Sequence, residues 1–395
     1  QLIHRALTYN KDLKIASARM NELAALKRID FANMFPQATA RLNGNRETTN
    51  YGGDNFDADP ELSLTASISW ELDLWGNLRW ARDHSTAEFL ASVENCRAVK
   101  MGLVAQVAQS YFELMALDNE LAIVRRTLEA RREGVRLAEI RFKGGLTSEI
   151  VFQQAKVELA KTATMVPDLE RRISLKESEI ALLTGDFPYA VNRNVLPEEI
   201  QLPDALPLGL PSTLLERRPD IRKAERELMA AHAEVGLAYT NMFPRLALTA
   251  TLGAESETLR DLLKSPYSYL AGNLLSPLFA MGKNRAALKA KRAAYEGAVA
   301  EYEKTVLTAF KETHDAIINF NKIKDIYESR RQLAEASRTA VELAQLQYIN
   351  GVIGYLDLLD AQRNYFDAQV SLSNAVCDKQ LMIINLYKAL GGGWK

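Results

Sequence analysis

Two hydrophobic periods divide the chain. Leu62, Leu64, Ala66, Ile68, Trp70, Leu72 and Leu74 alternate strictly with Glu61, Ser63, Thr65, Ser67, Ser69, Glu71 and Asp73. A period of two puts alternate residues on opposite faces of a strand. A shorter alternating run precedes it, with Ala38, Ala40 and Leu42 on one face and Gln37, Thr39, Arg41 and Asn43 on the other. The polar Gly/Asp/Asn stretch TTNYGGDNFDADP separates the two, so the pattern predicts a β-hairpin. Leu246, Leu248, Ala250 and Leu252 alternate in the same way with Ala247, Thr249 and Thr251, and a less regular return strand is expected at about 267–279, ended by Pro277. The run at 61–74 is long enough to cross a bilayer, which takes a tilted strand of ~9–11 residues.

The second period is seven. Val107, Leu114, Leu121, Leu128 and Val135 form one apolar seam and Leu103, Leu117 and Val124 a second, with Ser110 as the exception. Val306, Thr313, Phe320, Tyr327, Ala334 and Val341 keep the spacing less purely. A heptad seam predicts helices packed as in a coiled coil. Between Gly76 and Gly145 there is no proline. About 65 helical residues would run on the order of 100 Å, far beyond the ~12 residues of an average globular helix. Turns are expected at RFKGGLTSE and QYINGVIGYLD, where glycine supplies positive φ.

These elements occur twice. Gly76 and Arg79 recur as Gly282 and Arg285, and Gly145 and Ala155 as Gly351 and Ala361, all 206 residues apart. LLTG ends at Gly185 and ALGG at Gly392, 207 apart. The tetrapeptide NMFP stands at 33–36 and again at 241–244, each time between a helical run and an alternating one. Proline stops the helix, biases the residue before it away from αR, and is tolerated at the start of a strand. Pro36 and Pro244 therefore mark a helix-to-strand crossing made twice. The copies are joined by residues 186–212, which hold five of the twelve prolines (Pro188, Pro197, Pro203, Pro207 and Pro211) and read as an extended linker.

Charge and composition narrow the function mostly by exclusion. The net charge of −1 gives no bulk field for nucleic acid. His4, His84, His232 and His314 are scattered, Cys96 and Cys377 have no metal-type spacing, and no phosphate- or dinucleotide-binding glycine motif is present. No catalytic residue, metal or cofactor is expected. Nine methionines form no cluster that would argue for copper or silver transport. No apolar run reaches the ~18–20 residues of a membrane helix.

Four strands cannot close a membrane barrel, which starts at ~8, and open sheet edges are not tolerated in lipid. If the strands span, two, three or four chains must share a barrel. The long apolar-striped helices make the same demand for neighbouring copies. The alternative is a soluble, elongated coiled-coil scaffold carrying two small hairpins; the strict alternation at 61–74 favours the membrane reading.

WELDLWGNLR (70–79), LLERRPDIRKAERELMAA (214–231), MFPRLALTA (242–250), LLDAQRNYFDAQ (358–369) and NLYKALGGGW (385–394) resemble the TolC-type outer-membrane efflux proteins, of the OprM/CusC-like kind. The resemblance covers essentially the whole chain. It implies an α+β membrane protein made as a homotrimer, with a twelve-stranded outer-membrane β-barrel continuous with a long periplasmic α-helical barrel. The expected segments are a first helix (1–35), a first hairpin (36–75), a first helical hairpin (76–185), the linker in an equatorial belt (186–212), a second helix (213–243), a second hairpin (244–280), a second helical hairpin (281–390) and a short equatorial end (391–395). The implied function is a passive exit duct for drugs or other small toxic compounds. Its implied partners are a periplasmic adaptor, an inner-membrane RND pump and outer-membrane lipid. Family members usually carry a signal peptide and a lipid-bearing cysteine at their start, and such a region is expected to precede Gln1.

By the same resemblance the periplasmic gate falls in YINGVIGYLDLLDAQR, with Leu356 as an apolar constriction, Asp360 and Arg363 as an ion-pair latch and Asp357 as a further acidic group. Asp357 and Asp360 are three apart and share a helix face, so three copies would form a carboxylate ring favouring cations. Ile353 stands where some TolC-type gates carry an arginine just after the turn, so a latch through that position is not expected. Gly145, Thr147 and Ser148, with Gly351, Val352 and Ile353, are the expected adaptor-docking tips. Arg41, Glu61, Glu71 and Asp73 are expected to line the barrel lumen. The remaining reading is that the charges of the gate segment are solvated helix residues.

Overall fold

The computed structural model describes residues 1–49, 57–193, 216–277 and 280–392. The polar loop at 50–56, the linker from 194 to 212, Phe279 and residues 393–395 lie outside the described residues. The elements run α1 (Leu2–Tyr9), α2 (Lys11–Ala32), β1 (Gln37–Thr49), β2 (Asp57–Leu72), α3 (Asn77–Lys143), α4 (Glu149–Thr184), α5 (Pro219–Thr240), β3 (Arg245–Ser256), β4 (Pro266–Leu275), α6 (Lys283–Ile349) and α7 (Tyr355–Ala389). A 3₁₀ turn at Leu262–Lys264 precedes β4. No described helix is long and apolar enough to cross a membrane.

The duplication is written into the backbone. The positive-φ glycines are Gly76, Gly145 and Gly185, then Gly282, Gly351 and Gly391. Each second-copy glycine stands 206 residues after its counterpart, so the last pair is Gly185 with Gly391, not Gly392. α3 and α6 are each 67 residues long. One expected element is divided: the first helix breaks at buried Asn10, where ψ swings to 135°. Asn10 Oδ1 accepts the Leu13 N–H at 2.9 Å, capping α2, while its Nδ2 donates to the Leu183 carbonyl at 3.0 Å. A side chain that satisfies orphan helix-start donors stabilises the break.

The chain divides into two compact units. The first comprises residues 1–16, 96–219 and 306–395. Its core is the heptad seam: Leu114, Leu117, Leu121 and Val124 of α3 pack with Leu169, Ile173 and Ile180 of α4, and Val191 at the start of the linker joins them. The exception in the seam has a physical reason. Ser110 is 2% exposed and donates to Glu179 Oε1 across the hairpin at 2.8 Å, so the polar residue is buried with its partner. A second cluster joins Ala316 and Phe320 of α6 to Leu386 and Ala389 of α7. Asn119 Nδ2 donates to Ser373 Oγ at 2.8 Å and Gln109 Nε2 to Asn385 Oδ1 at 2.7 Å, tying the first helical hairpin to the second.

The second unit comprises residues 17–95 and 220–305 and contains one antiparallel sheet in the order β1-β2-β3-β4. Registers keep the apolar sets together: Ala40 faces Ala66, which faces Leu252, and Ile68 faces Ala250, which faces Leu270. A one-residue slip would move every side chain to the other face. The hairpin registers also repeat the duplication. Gln37↔Ser69 in the first hairpin and Arg245↔Leu275 in the second are the same pair, offset by 208 and 206 residues.

Candidate functional site

Two places in the molecule carry candidate function. The first lies in the helical unit, where α3 turns into α4 and α6 into α7. Both turns close identically. Leu146 N–H donates to the Arg141 carbonyl and Gly145 N–H to Phe142; Val352 N–H donates to Gln347 and Gly351 N–H to Tyr348. This is the paired bonding of a Schellman end, which requires the left-handed residue that Gly145 and Gly351 supply at φ 71° and 75°. Gly145, Ser148, Gly351 and Val352 are exposed, whereas Thr147 and Ile353 are half-buried. Beneath the turns Ala138, Ala155, Tyr348, Tyr355, Leu358 and Leu359 form an apolar cluster. The Arg141 guanidinium lies 4.6 Å from the Tyr348 ring centroid.

The gate residues follow on the first turns of α7. Asp357 Oδ2 accepts the Gly354 N–H at 3.1 Å, so this carboxylate caps the start of α7. Leu356 is 55% exposed. Asp360 reaches Arg363 at 3.5 Å, but the closer partner of Arg363 is Glu158 of α4, at 2.5 Å. The Glu158 side chain is 9% exposed and also meets Lys161 at 3.3 Å. Hydrogen bonding from Arg363 holds the Glu158 carboxyl below its usual range, against the opposing pull of burial. Nearby, Arg131 of α3 is 6% exposed and donates to Gln362 Oε1 at 2.6 Å, while its Nε has no hydrogen-bond partner among the described residues. Burial lowers the Arg131 pKa and the Glu158 charge raises it. Reasoning from the sequence named Arg363 and Asp360 but missed Glu158, Arg131 and Gln362. The first two sit on the other helical hairpin, and nothing in their local pattern distinguishes them from solvated helix charges.

The second place is the sheet. Its even-numbered face carries Leu42, Leu64, Ile68, Trp70, Leu248, Leu252, Leu270 and Leu274, all exposed. Its odd-numbered face carries Thr39, Arg41, Asn43, Glu61, Ser67, Glu71, Thr249 and Thr251, with Ser67 Oγ and Thr251 Oγ1 bonded across strands at 3.0 Å. Asp73 does not belong to this face. β2 ends at Leu72, and the Asp73 carboxylate instead accepts the Leu78 and Arg79 N–H groups at 3.0 and 3.1 Å and pairs with Arg79 Nε at 3.0 Å. It caps α3, because the alternation outlasts the strand by two residues. No group of described residues is arranged to hold a metal ion.

The sequence model of the family described as outer membrane efflux protein matches residues 2–186 and 210–392. The chain belongs to this family. Efflux proteins similar to it include the solvent efflux pump outer membrane protein SrpC of Pseudomonas putida, 33% identical over all of this chain and 85% of that protein. Outer membrane protein OprJ of Pseudomonas aeruginosa is 32% identical over all of this chain and 84% of its own length. Among solved structures, the outer-membrane channel OprN matches with a TM-score of 0.93 and 30% identity, covering 100% of this chain and 90% of that one. The CusC structure matches with 0.91 and 29%, covering 99% and 91%. This efflux family member is therefore an outer-membrane transport protein, and the relatives it matches are named as efflux and channel proteins.

Proposed function

We propose that three copies of this chain form a passive outer-membrane exit duct of a tripartite efflux pump. The observation that carries the reading is the four-stranded sheet: one face apolar and exposed, the other polar, with β1 and β4 at its edges. In lipid such edges must be paired. Three copies contribute twelve strands, turn the leucine-rich face to lipid and put Arg41, Glu61 and Glu71 around an aqueous lumen. The gate is the set Leu356, Asp357, Asp360 and Arg363, and Glu158 is the main partner of the latch arginine. A ring of Leu356 closes the pore by dewetting, and the Glu158–Arg363 pair holds α7 against α4. The turns at Gly145, Thr147 and Ser148 and at Gly351, Val352 and Ile353 dock a periplasmic adaptor, which links the duct to an inner-membrane RND transporter. Drugs or other small toxic compounds are the cargo, and selection among them rests with the transporter. Single-channel recording of detergent-purified protein in planar bilayers tests the duct. Discrete conductance steps are expected; protein that stays soluble without detergent and never conducts would favour a soluble scaffold instead.

A further inference from the structure

Where β3 begins and β4 ends, a cavity of 730 Å³ lies between the two strands, the end of α5 and the start of α6. Ligand sites usually measure ~300–1,000 Å³, so the space suits a small molecule. It lies on the polar face of the sheet: Arg245 shares the parity of Thr249 and Thr251, and its register partner is Leu275. Its charged lining is Arg245, Lys283 and Lys291 against a single carboxylate, Glu234. Lys291 and Glu234 pair at 2.7 Å and cancel. Among the described residues Arg245 has only the neutral Asn241 Oδ1, at 2.7 Å, and the exposed Lys283 side chain makes no bond. The cavity therefore keeps two positive charges with no carboxylate to balance them.

Beside these charges the lining is apolar. Leu275 is 73% exposed on the face that β3 fills with Thr249 and Thr251, and Pro277 and half-buried Phe243 continue the patch. The internal duplication shows that the fold itself does not need the cations. By the offsets of 208 residues before each hairpin and 206 after it, Arg245, Lys283 and Lys291 correspond to Gln37, Asn77 and Ser85. The first copy builds the same helix-to-strand corner with neutral side chains: Gln37 donates to Asn33 Oδ1 as Arg245 donates to Asn241 Oδ1. An amide donor is enough to hold that corner. Only the second copy puts a guanidinium and an ammonium beside an exposed apolar patch.

We propose that this cavity is a binding site for an amphiphilic organic anion, an aromatic or aliphatic body ending in a sulfonate or carboxylate. The anionic end lies between the Arg245 guanidinium, whose planar fork can donate two hydrogen bonds, and the Lys283 ammonium, which acts as a point charge. The body covers Phe243, Leu275 and Pro277, removing exposed apolar surface from water. The site stands on these side chains alone. Its opening onto an aqueous lumen rests on the duct reading above, in which three copies set three such seats around the foot of the barrel. There the seat holds anionic members of the cargo in transit. Binding is weak and reversible, since both cations are exposed to water and screened by salt.

Naphthalene-2-sulfonate titrated by calorimetry into the full chain, extracted in a neutral detergent, tests the site. One molecule should bind per chain. Arg245→Gln and Lys283→Gln should each weaken binding about 3–10-fold, as expected for a solvent-screened charged hydrogen bond. Lys289→Gln, on the exposed surface of α6 and outside the cavity, should leave binding unchanged. The matching naphthalene trimethylammonium should bind about ten-fold more weakly or not at all, its charge being repelled. Native mass and circular dichroism confirm assembly of each variant, and Lys283→Gln keeps the test decisive should Arg245→Gln fail to assemble. Equal sulfonate affinity in all variants, or equal affinity for the ammonium, overturns the site. Displacement of the sulfonate by tenfold less phosphatidylglycerol assigns the seat to a lipid and overturns the solute reading. In planar bilayers of neutral lipid the sulfonate should reduce the current of the parent and not of the double variant. A conducting parent that binds the sulfonate with no loss of current overturns the lumen seat; an assembled parent that binds it but never conducts overturns the duct and leaves the site.

Discussion

Glu158→Gln is the sharpest test of the proposed latch. The substitution keeps the side chain's volume and removes its charge. A charge-assisted hydrogen bond contributes about 1.5–3 kcal/mol. The Arg363 side chain is 45% exposed, so solvent screening discounts this to about 1–2 kcal/mol per chain. That is a factor of about 5–30 in an open-to-closed ratio. Three pairs far enough apart to add would total about 3–6 kcal/mol if the tips move together. Arg363 would keep a neutral amide acceptor at position 158, and its only carboxylate among the described residues would be Asp360, 3.5 Å away on its own helix. Conductance and open time in planar bilayers read the effect: Glu158→Gln channels should open more often than the parent. Arg363→Gln should match them, and the double variant should add little. Unchanged gating in an intact trimer would refute the latch, as would full additivity of the two single variants.

The same carboxylate sets a pH response. Its folded-state pKa is lowered, so its contribution is complete above the usual carboxylate value of ~4.3 and lost as pH falls through the lower folded value; opening should therefore rise only in acid, as bilayer recordings in a pH series would show. Leu114 is fully buried in the α3–α4 seam, so Leu114→Ala should cost about 2–5 kcal/mol and lower the melting temperature followed by circular dichroism. Gly185→Ala should be worse than Gly145→Ala in the same melt, since both have positive φ but a Cβ at 185 would lie 2.5 Å from the Tyr9 carbonyl oxygen while one at 145 meets nothing within 4 Å. Burial pushes the Cys377 thiol up to about 11, so in intact-mass assays at neutral pH it should resist maleimide until the protein is denatured.

The sequence by itself determined whatever depends on period and on local stereochemistry. Alternation placed β1, β2 and β3 and their two faces, the heptad seam placed the core of α3, and the spacing of glycines and prolines placed the turns and the duplication. These are legible because a strand or helix face is a property of the chain's own repeat. Boundaries were less so. Asn10 breaks the first helix and Asp73 leaves the strand to cap α3, since a capping side chain competes with the regular pattern without disturbing it. The candidate gate shows where sequence reasoning stops. Arg363 came from resemblance, but its partner Glu158 is 205 residues away, and the duplicate positions of Glu158 and Arg131 are Asn364 and Ser337. Neither repeat nor period carries that pairing. Only the packing of α4 against α7 buries the carboxylate, brings the guanidinium to it and turns two ordinary helix charges into a joint between hairpins.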